Sequence, residues 1–403
     1  MIGHDMRPNQ RVSSIPLSQT LALDTRAKRM IAEGRDVINL SVGEPDFDSP
    51  AAVREAGKAL IDSGGVRYTP AGGTTTLRAA VAEHLSRTRA TAFTPAEITV
   101  CHSAKHALSG VLLTLTEPGD EVLLLLPAWV SYFEMVRFAA GTPVTVESRA
   151  DLGPDLDALR RAITPRTRGL MINSPCNPSG YVLTPEEVAA LCDLAAEHDL
   201  WILSDEIYSR LVYDGTPFAS PVQVSDDARA RTILVDGASK AFAMTGYRIG
   251  YLAAPEEIAS AVARLHSQLA GSPNAVGQHA FEAALGTEPP EVSTMAQEFE
   301  ERRTRLVADL RSLGMETPMP GGAFYVFSDV RPWLDERGSE GFCEDLLEAE
   351  GVAAVPGSAF GVEGRVRFSY AASRESLQAA VERLGRFLAS RPRADQLQDS
   401  TSS

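Results

Sequence analysis

From about residue 51 to residue 285, short apolar runs alternate with longer amphipathic segments, the trace that βαβ units of a mainly parallel sheet leave in a sequence. No other feature limits the fold class as tightly. It predicts strands over 97–100, 121–126, 169–172, 200–204, 232–236 and 249–253. Open α/β sheets bind ligands outside the carboxyl ends of their strands, so residues just after these runs are the candidates for chemistry. A segment rich in Glu and Arg at helical spacing follows over 290–312. It leads to a smaller set of elements: an apolar strand over 323–327, a helix near 340–350, a strand over 366–370 and a last helix to about Leu388. The expected organisation is an N-terminal arm and part of a small domain over 1–50, a large domain over 51–290, the rest of the small domain over 291–391, and a polar, aperiodic tail over 392–403 expected to be disordered.

A chain of 403 residues accommodates two domains, and 44% hydrophobic with 23% charged residues is the balance of a globular protein. The net charge of -15 argues against nucleic acid or an anionic membrane as partner, since both need clustered Lys and Arg. The first ten residues hold no apolar run of signal-peptide type, and the longest apolar stretch, near Val122 to Leu126, is broken by Pro127. A cytoplasmic protein is expected. Cys101, Cys176, Cys192 and Cys343 have neither CxxC nor metal-ligand spacing, so free thiols and no metal site are expected.

Lysine is scarce in this chain: Lys28, Lys58, Lys105 and Lys240 are set against an otherwise arginine-based positive charge. Arginine stays charged and is a poor nucleophile, whereas lysine can lose its proton and form a Schiff base. Lys240 lies among small residues just after the 232–236 run, eight positions before Arg248. That setting suggests covalent chemistry with an aldehyde cofactor.

Two further clusters follow strands, NSPCNPSG from Asn173 and DEIY from Asp205, besides Ser239-Lys240 itself. Together with Tyr68, Arg248 and Arg367, in this order, they resemble the class I/II aminotransferases, pyridoxal-phosphate (PLP) enzymes of fold type I. The resemblance spans roughly residues 18–388. Within the family it is closest to the bacterial aspartate aminotransferases of subgroup Ib, through GEPDFD from Gly43, PAWVSY from Pro127 and KAFAMTG from Lys240. It implies a large domain with a mainly parallel seven-stranded sheet, a smaller α+β domain and a homodimer.

The resemblance assigns roles residue by residue. Asp205 holds the proton on the cofactor's ring nitrogen, which keeps the ring an electron sink. Asn177 and Tyr208 hydrogen-bond the ring's phenolic oxygen, and Trp129 stacks on the ring face. Arg248, Ser239 and the backbone of Ser103, Ala104 and Lys105 at a helix N-terminus take the phosphate. Tyr68 reaches the phosphate in the neighbouring subunit. Arg367 pairs with the substrate α-carboxylate, Gly43 lets that carboxylate approach the backbone, and Lys105 reaches the distal carboxylate of aspartate or glutamate. The implied activity is ping-pong transfer of an amino group from an L-amino acid to a 2-keto acid, with Lys240 as Schiff-base lysine and proton carrier.

Three departures from the family pattern stand out. Ser103-Ala104 replaces a frequent Gly-Gly, which leaves the backbone donors in place. Cys176 stands where Asn or His is common, and nothing beside it in the sequence marks it as a nucleophile. Pro16 occupies the region where prephenate-using members carry a lysine, which argues against prephenate. The rival on the same scaffold is elimination, cyclisation or oxidation of a different or nonstandard amino acid. A transcription regulator would need an appended basic DNA-binding module, and a nicotinamide dehydrogenase a GxGxxG after a strand; the sequence has neither.

Overall fold

The computed structural model describes residues 6–13, 15 and 19–391; the tail over 392–403 and Pro16 lie outside the described residues. Its strands are β1 (Ile38–Asn39), β2 (Ile98–Cys101), β3 (Glu121–Leu125), β4 (Thr142–Val146), β5 (Thr167–Asn173), β6 (Trp201–Asp205), β7 (Thr232–Gly237), β8 (Gly250–Ala253), β9 (Tyr325–Asp329), β10 (Val352–Ala353), β11 (Val355–Pro356) and β12 (Arg365–Ser369). Seven form one sheet in the order β2-β8-β7-β6-β5-β3-β4, parallel except that β8 runs against both of its neighbours. This is the mainly parallel α/β sheet expected.

The apolar runs become strands because both faces of this sheet are covered, which is why they read as continuous rather than alternating. Along β7, Ile233 and Val235 join the core on one face and Leu234 the core on the other. The expected strands match β2, β3, β5, β6, β7 and β8 to within about two residues. β4 was not expected. It is an edge strand paired only to β3, and its Thr-Pro-Val-Thr-Val is largely half-exposed or exposed, so it shows no apolar run.

Beyond the 23-residue helix Pro290–Ser312, β9, β11 and β12 form a three-stranded antiparallel sheet. β9 starts two residues later than the expected 323–327. Ala323 has φ of +59°, and its carbonyl accepts hydrogen bonds from the hydroxyls of Tyr213 and Tyr370 instead of entering a ladder. β1 pairs in parallel with β10, which sets the N-terminal segment against these later elements. Arg302, buried on the long helix, reinforces that join by donating to Asp46 at 2.8 Å. Among the described residues no helix is long and apolar enough to cross a membrane.

Candidate active site

The carboxyl ends of β5, β6 and β7 open into a cleft of about 520 Å³ that is also lined by residues 41–44 and by Tyr325 and Arg367 from the three-stranded sheet. Of the thirteen residues singled out from the sequence, Gly43, Ser103, Ala104, Lys105, Trp129, Asn177, Asp205, Tyr208, Ser239, Lys240, Arg248 and Arg367 line this cleft. Tyr68 does not. Its side chain is 99% exposed on a single chain, away from the cleft.

Lys240 follows β7 and points its Nζ at the Gly43 carbonyl, 2.5 Å away. Burial pushes its pKa down to about 8; Arg367 and Arg248 push the same way, while Glu44 and Asp205 oppose. The neutral, nucleophilic amine is therefore accessible close to neutrality. A Cβ on Gly43 would lie 2.9 Å from the Tyr325 hydroxyl, so this approach of backbone to side chains needs glycine.

Asp205 ends β6 and is buried. Tyr132 Oη donates to its Oδ2 at 2.6 Å and the Ile207 amide to its Oδ1 at 3.2 Å. Burial raises its pKa to about 6, against the pull of those two donors. Tyr208 shares a hydrogen bond with Tyr325 at 2.9 Å between hydroxyls, and burial drives its pKa up.

Also in the cleft lining, Ser103 caps the helix Ala104–Leu115, its Oγ accepting from the His106 amide at 3.2 Å. The first amides of that helix have no intrahelical acceptor and form the positive end of its dipole, an arrangement suited to an anion. Gly250 on β8 makes room for this turn, since a Cβ there would sit 2.1 Å from Ala104 N. Arg248 donates to the Thr245 carbonyl at 2.7 Å and has no carboxylate partner among the described residues. Lys105 lies 4.7 Å above the Trp129 ring, a cation–π contact, with its pKa lowered by burial and by Arg248.

Arg367 is buried on β12. Its guanidinium donates to Asn177 Oδ1 at 2.9 Å and the Ser41 carbonyl at 2.6 Å and lies 4.4 Å from the centroid of the Tyr325 ring, while Nε has no partner. No carboxylate of the described residues neutralises it. Cys176 lies outside the cleft lining, with Sγ directed at the Pro127 carbonyl at 3.5 Å and its pKa raised by burial. Among the described residues no cluster of His, Cys, Asp or Glu could hold a metal ion.

Sequence reasoning gave no role to Tyr132, Tyr325 or Ser41. Tyr132 could have been found, since it stands one helical turn after Trp129. Tyr325 and Ser41 reach the cleft only through the pairing of distant segments.

A family model described as aminotransferase class I and II matches residues 35–384. A probable aspartate/prephenate aminotransferase of Thermus aquaticus is 43% identical over 385 residues, covering 94% of this chain and 99% of that protein. An aspartate aminotransferase of Geobacillus stearothermophilus is 40% identical over 394 residues, covering 96% of this chain and 100% of that protein. The solved structure of Thermus thermophilus aspartate aminotransferase with maleate superposes with a TM-score of 0.91 at 43% identity, covering 94% of this chain and 100% of that one. The chain belongs to the class I and II aminotransferases and is an enzyme of amino-group transfer.

Proposed function

We propose that this aminotransferase moves the amino group of L-aspartate or L-glutamate to a 2-keto acid, with pyridoxal 5'-phosphate as cofactor, and that it works as a homodimer. Arg367 carries the substrate reading. A buried guanidinium with an unsatisfied Nε and no carboxylate partner is costly unless an anion completes it, and an amino-acid carboxylate fits its fork. Lys105, elsewhere in the cleft lining, supplies a second cation for a distal carboxylate.

The donor set fits the cofactor. Asp205, raised toward the pKa of a ring nitrogen by burial, suits a shared proton there. Arg248, Ser239 and the Ser103–Lys105 turn offer a cation, a hydroxyl and helix amides to a phosphate. Asn177 and Tyr208 line the cleft together with Asp205, Trp129 offers a ring to stack on, and the exposed Tyr68 is free to serve a neighbouring subunit's phosphate. When bound, the cofactor supplies an aldehyde that condenses with amines and a ring that takes up the electron pair left as a Cα–H bond breaks.

The chain's residues do the rest. Lys240 Nζ, neutral above about pH 8, would hold the cofactor's aldehyde carbon in the absence of substrate and, once released by the substrate amine, would take the proton from substrate Cα and deliver it to that former aldehyde carbon. Arg367 fixes the α-carboxylate and so selects the face of Cα turned to Lys240. One cleft serves donor and acceptor in turn, which makes the kinetics ping-pong. The free cysteines, three of them buried, support a cytoplasmic setting.

The test is a half-reaction: the PLP-loaded enzyme mixed with single L-amino acids, with cofactor absorbance followed. Stoichiometric conversion to pyridoxamine phosphate by aspartate and glutamate is expected. Ammonia or peroxide release without that conversion would contradict transfer, and reaction only with basic, aromatic or nonstandard amino acids would contradict the role of Lys105.

A further inference from the structure

Behind the cleft, on the far side of the β6 and β7 ends, lie three buried ionisable residues that the reaction does not use; burial raises the pKa of one of them, Asp236, to about 7. Arg89, the cap of helix Thr75–Thr88, is 5% exposed, Glu206 1% and Asp236 6%. Arg89 Nε donates to Glu206 Oε2 at 2.9 Å, and its Nη2 lies 3.9 Å from Asp236 Oδ2. Glu206 Oε1 accepts from the hydroxyls of Ser204 at 3.0 Å and Ser220 at 2.5 Å. Asp236 accepts from Ser209 Oγ at 3.1 Å and from the Gly237 amide at 2.6 Å.

The placement of these contacts along the chain carries the argument. In the segment Asp205–Ser209, residues 205, 207 and 208 line the cleft, whereas 206 and 209 turn away and are held by the charged cluster. Asp236 is the next-to-last residue of β7, four positions before Lys240. The Glu206 amide also donates to the Val235 carbonyl at 2.8 Å, joining the two strand ends by their backbones. One guanidinium therefore spans the strands that deliver Asp205, Tyr208 and Lys240. Burying such charges is expensive, and apolar residues of similar volume would often be as stable or more so.

We propose that Arg89, Glu206 and Asp236 form a charged clamp that fixes the β6 and β7 ends, with Glu206 a positioning residue for amino-group transfer. The clamp acts through Asp205 and Lys240 and touches neither substrate nor cofactor. Its role in catalysis rests on the transferase reading; its mechanical part does not. Substrate anchoring by Arg367 comes from a different sheet, so disturbing the clamp should slow turnover without loosening substrate.

The experiment compares Glu206→Gln, which keeps the shape and removes the charge, with Glu206→Asp, which keeps the charge, in the PLP-loaded protein. Expected for Glu206→Gln is a fall in kcat of about tenfold or more, since small misplacements of reacting groups are costly. KM for aspartate should stay within about twofold, with Glu206→Asp intermediate. Amide hydrogen exchange should rise about tenfold at residues 205–209 and 236–240 while β3 and β4 keep their protection. A kcat within about twofold of the parent, or exchange raised evenly across the sheet, overturns the clamp. If Glu206→Gln does not fold, Ser209→Ala, which severs one donor to Asp236, should give a smaller kcat loss with exchange confined to the same residues; unchanged exchange there overturns the proposal. Because exchange is read independently of turnover, a parent enzyme that fails to transfer amino groups would refute the transferase reading and leave the clamp to be decided by exchange alone.

Discussion

Two buried arginines stand on opposite sides of the same strand ends, and they are treated differently. Arg89 has a carboxylate at 2.9 Å and a second nearby, while Arg367 has only an amide oxygen and a carbonyl, with Nε unpartnered. A paired buried charge is structure; an unpaired one is a place kept for a ligand. The same contrast holds for the carboxylates. Glu206 accepts from a guanidinium and two hydroxyls, whereas Asp205 accepts from a phenol and one amide and has its pKa raised to about 6.

Replacing each arginine by methionine would break or sharpen this contrast. Arg89→Met strands Glu206 without its counter-charge, and a loss of about 3–5 kcal/mol in denaturant unfolding is expected. Arg367→Met removes a charge that the fold never neutralised, so stability should hold or rise. The KM for aspartate should rise by about 10²–10³-fold, the scale of a truncated buried ion pair. Equal destabilisation by both substitutions would erase the distinction.

Gly250→Ala probes the anion-binding wall without touching a charge. Its methyl would push against Ala104 N, an overpacking of about 1–3 kcal/mol, and PLP affinity measured by fluorescence titration should weaken by about tenfold or more. The smallest effect concerns protons. The folded-state pKa of Lys240 is lowered to about 8, so the amine is neutral above that pH and charged below it. In cofactor-free protein, reductive methylation of Lys240 should fall by about tenfold per pH unit below 8 and level off above it, whereas exposed Lys28, whose pKa is raised by its hydrogen bond to Asp24, should keep rising well past that point. Parallel profiles would mean that the cleft does not tune its lysine.

The sequence made the sheet legible where strands are covered on both faces, as with β6 and β7, whose apolar runs have only one physical use. β4 escaped because an edge strand half in solvent carries no such run. Most of the cleft residues were legible because they follow a strand within a few positions, and strand ends converge on one side of the sheet; Arg248, just before β8, and Arg367, within β12, were legible only through the family resemblance. Arg89 was not, since 117 residues separate it from Glu206 and nothing local distinguishes it from a surface arginine at a helix end. Tyr325 and Ser41 were hidden for the same reason: β1 and β9 reach the cleft only after distant segments pair.

The central claim is that one lysine out of four is set apart by its surroundings to hold an aldehyde cofactor. Borohydride reduction of the PLP-loaded enzyme fixes the cofactor to whichever amine holds it, and peptide mass mapping then locates it. The account predicts one cofactor per chain, on Lys240. A label on Lys28, Lys58 or Lys105 with Lys240 free, or no label at all, would contradict it.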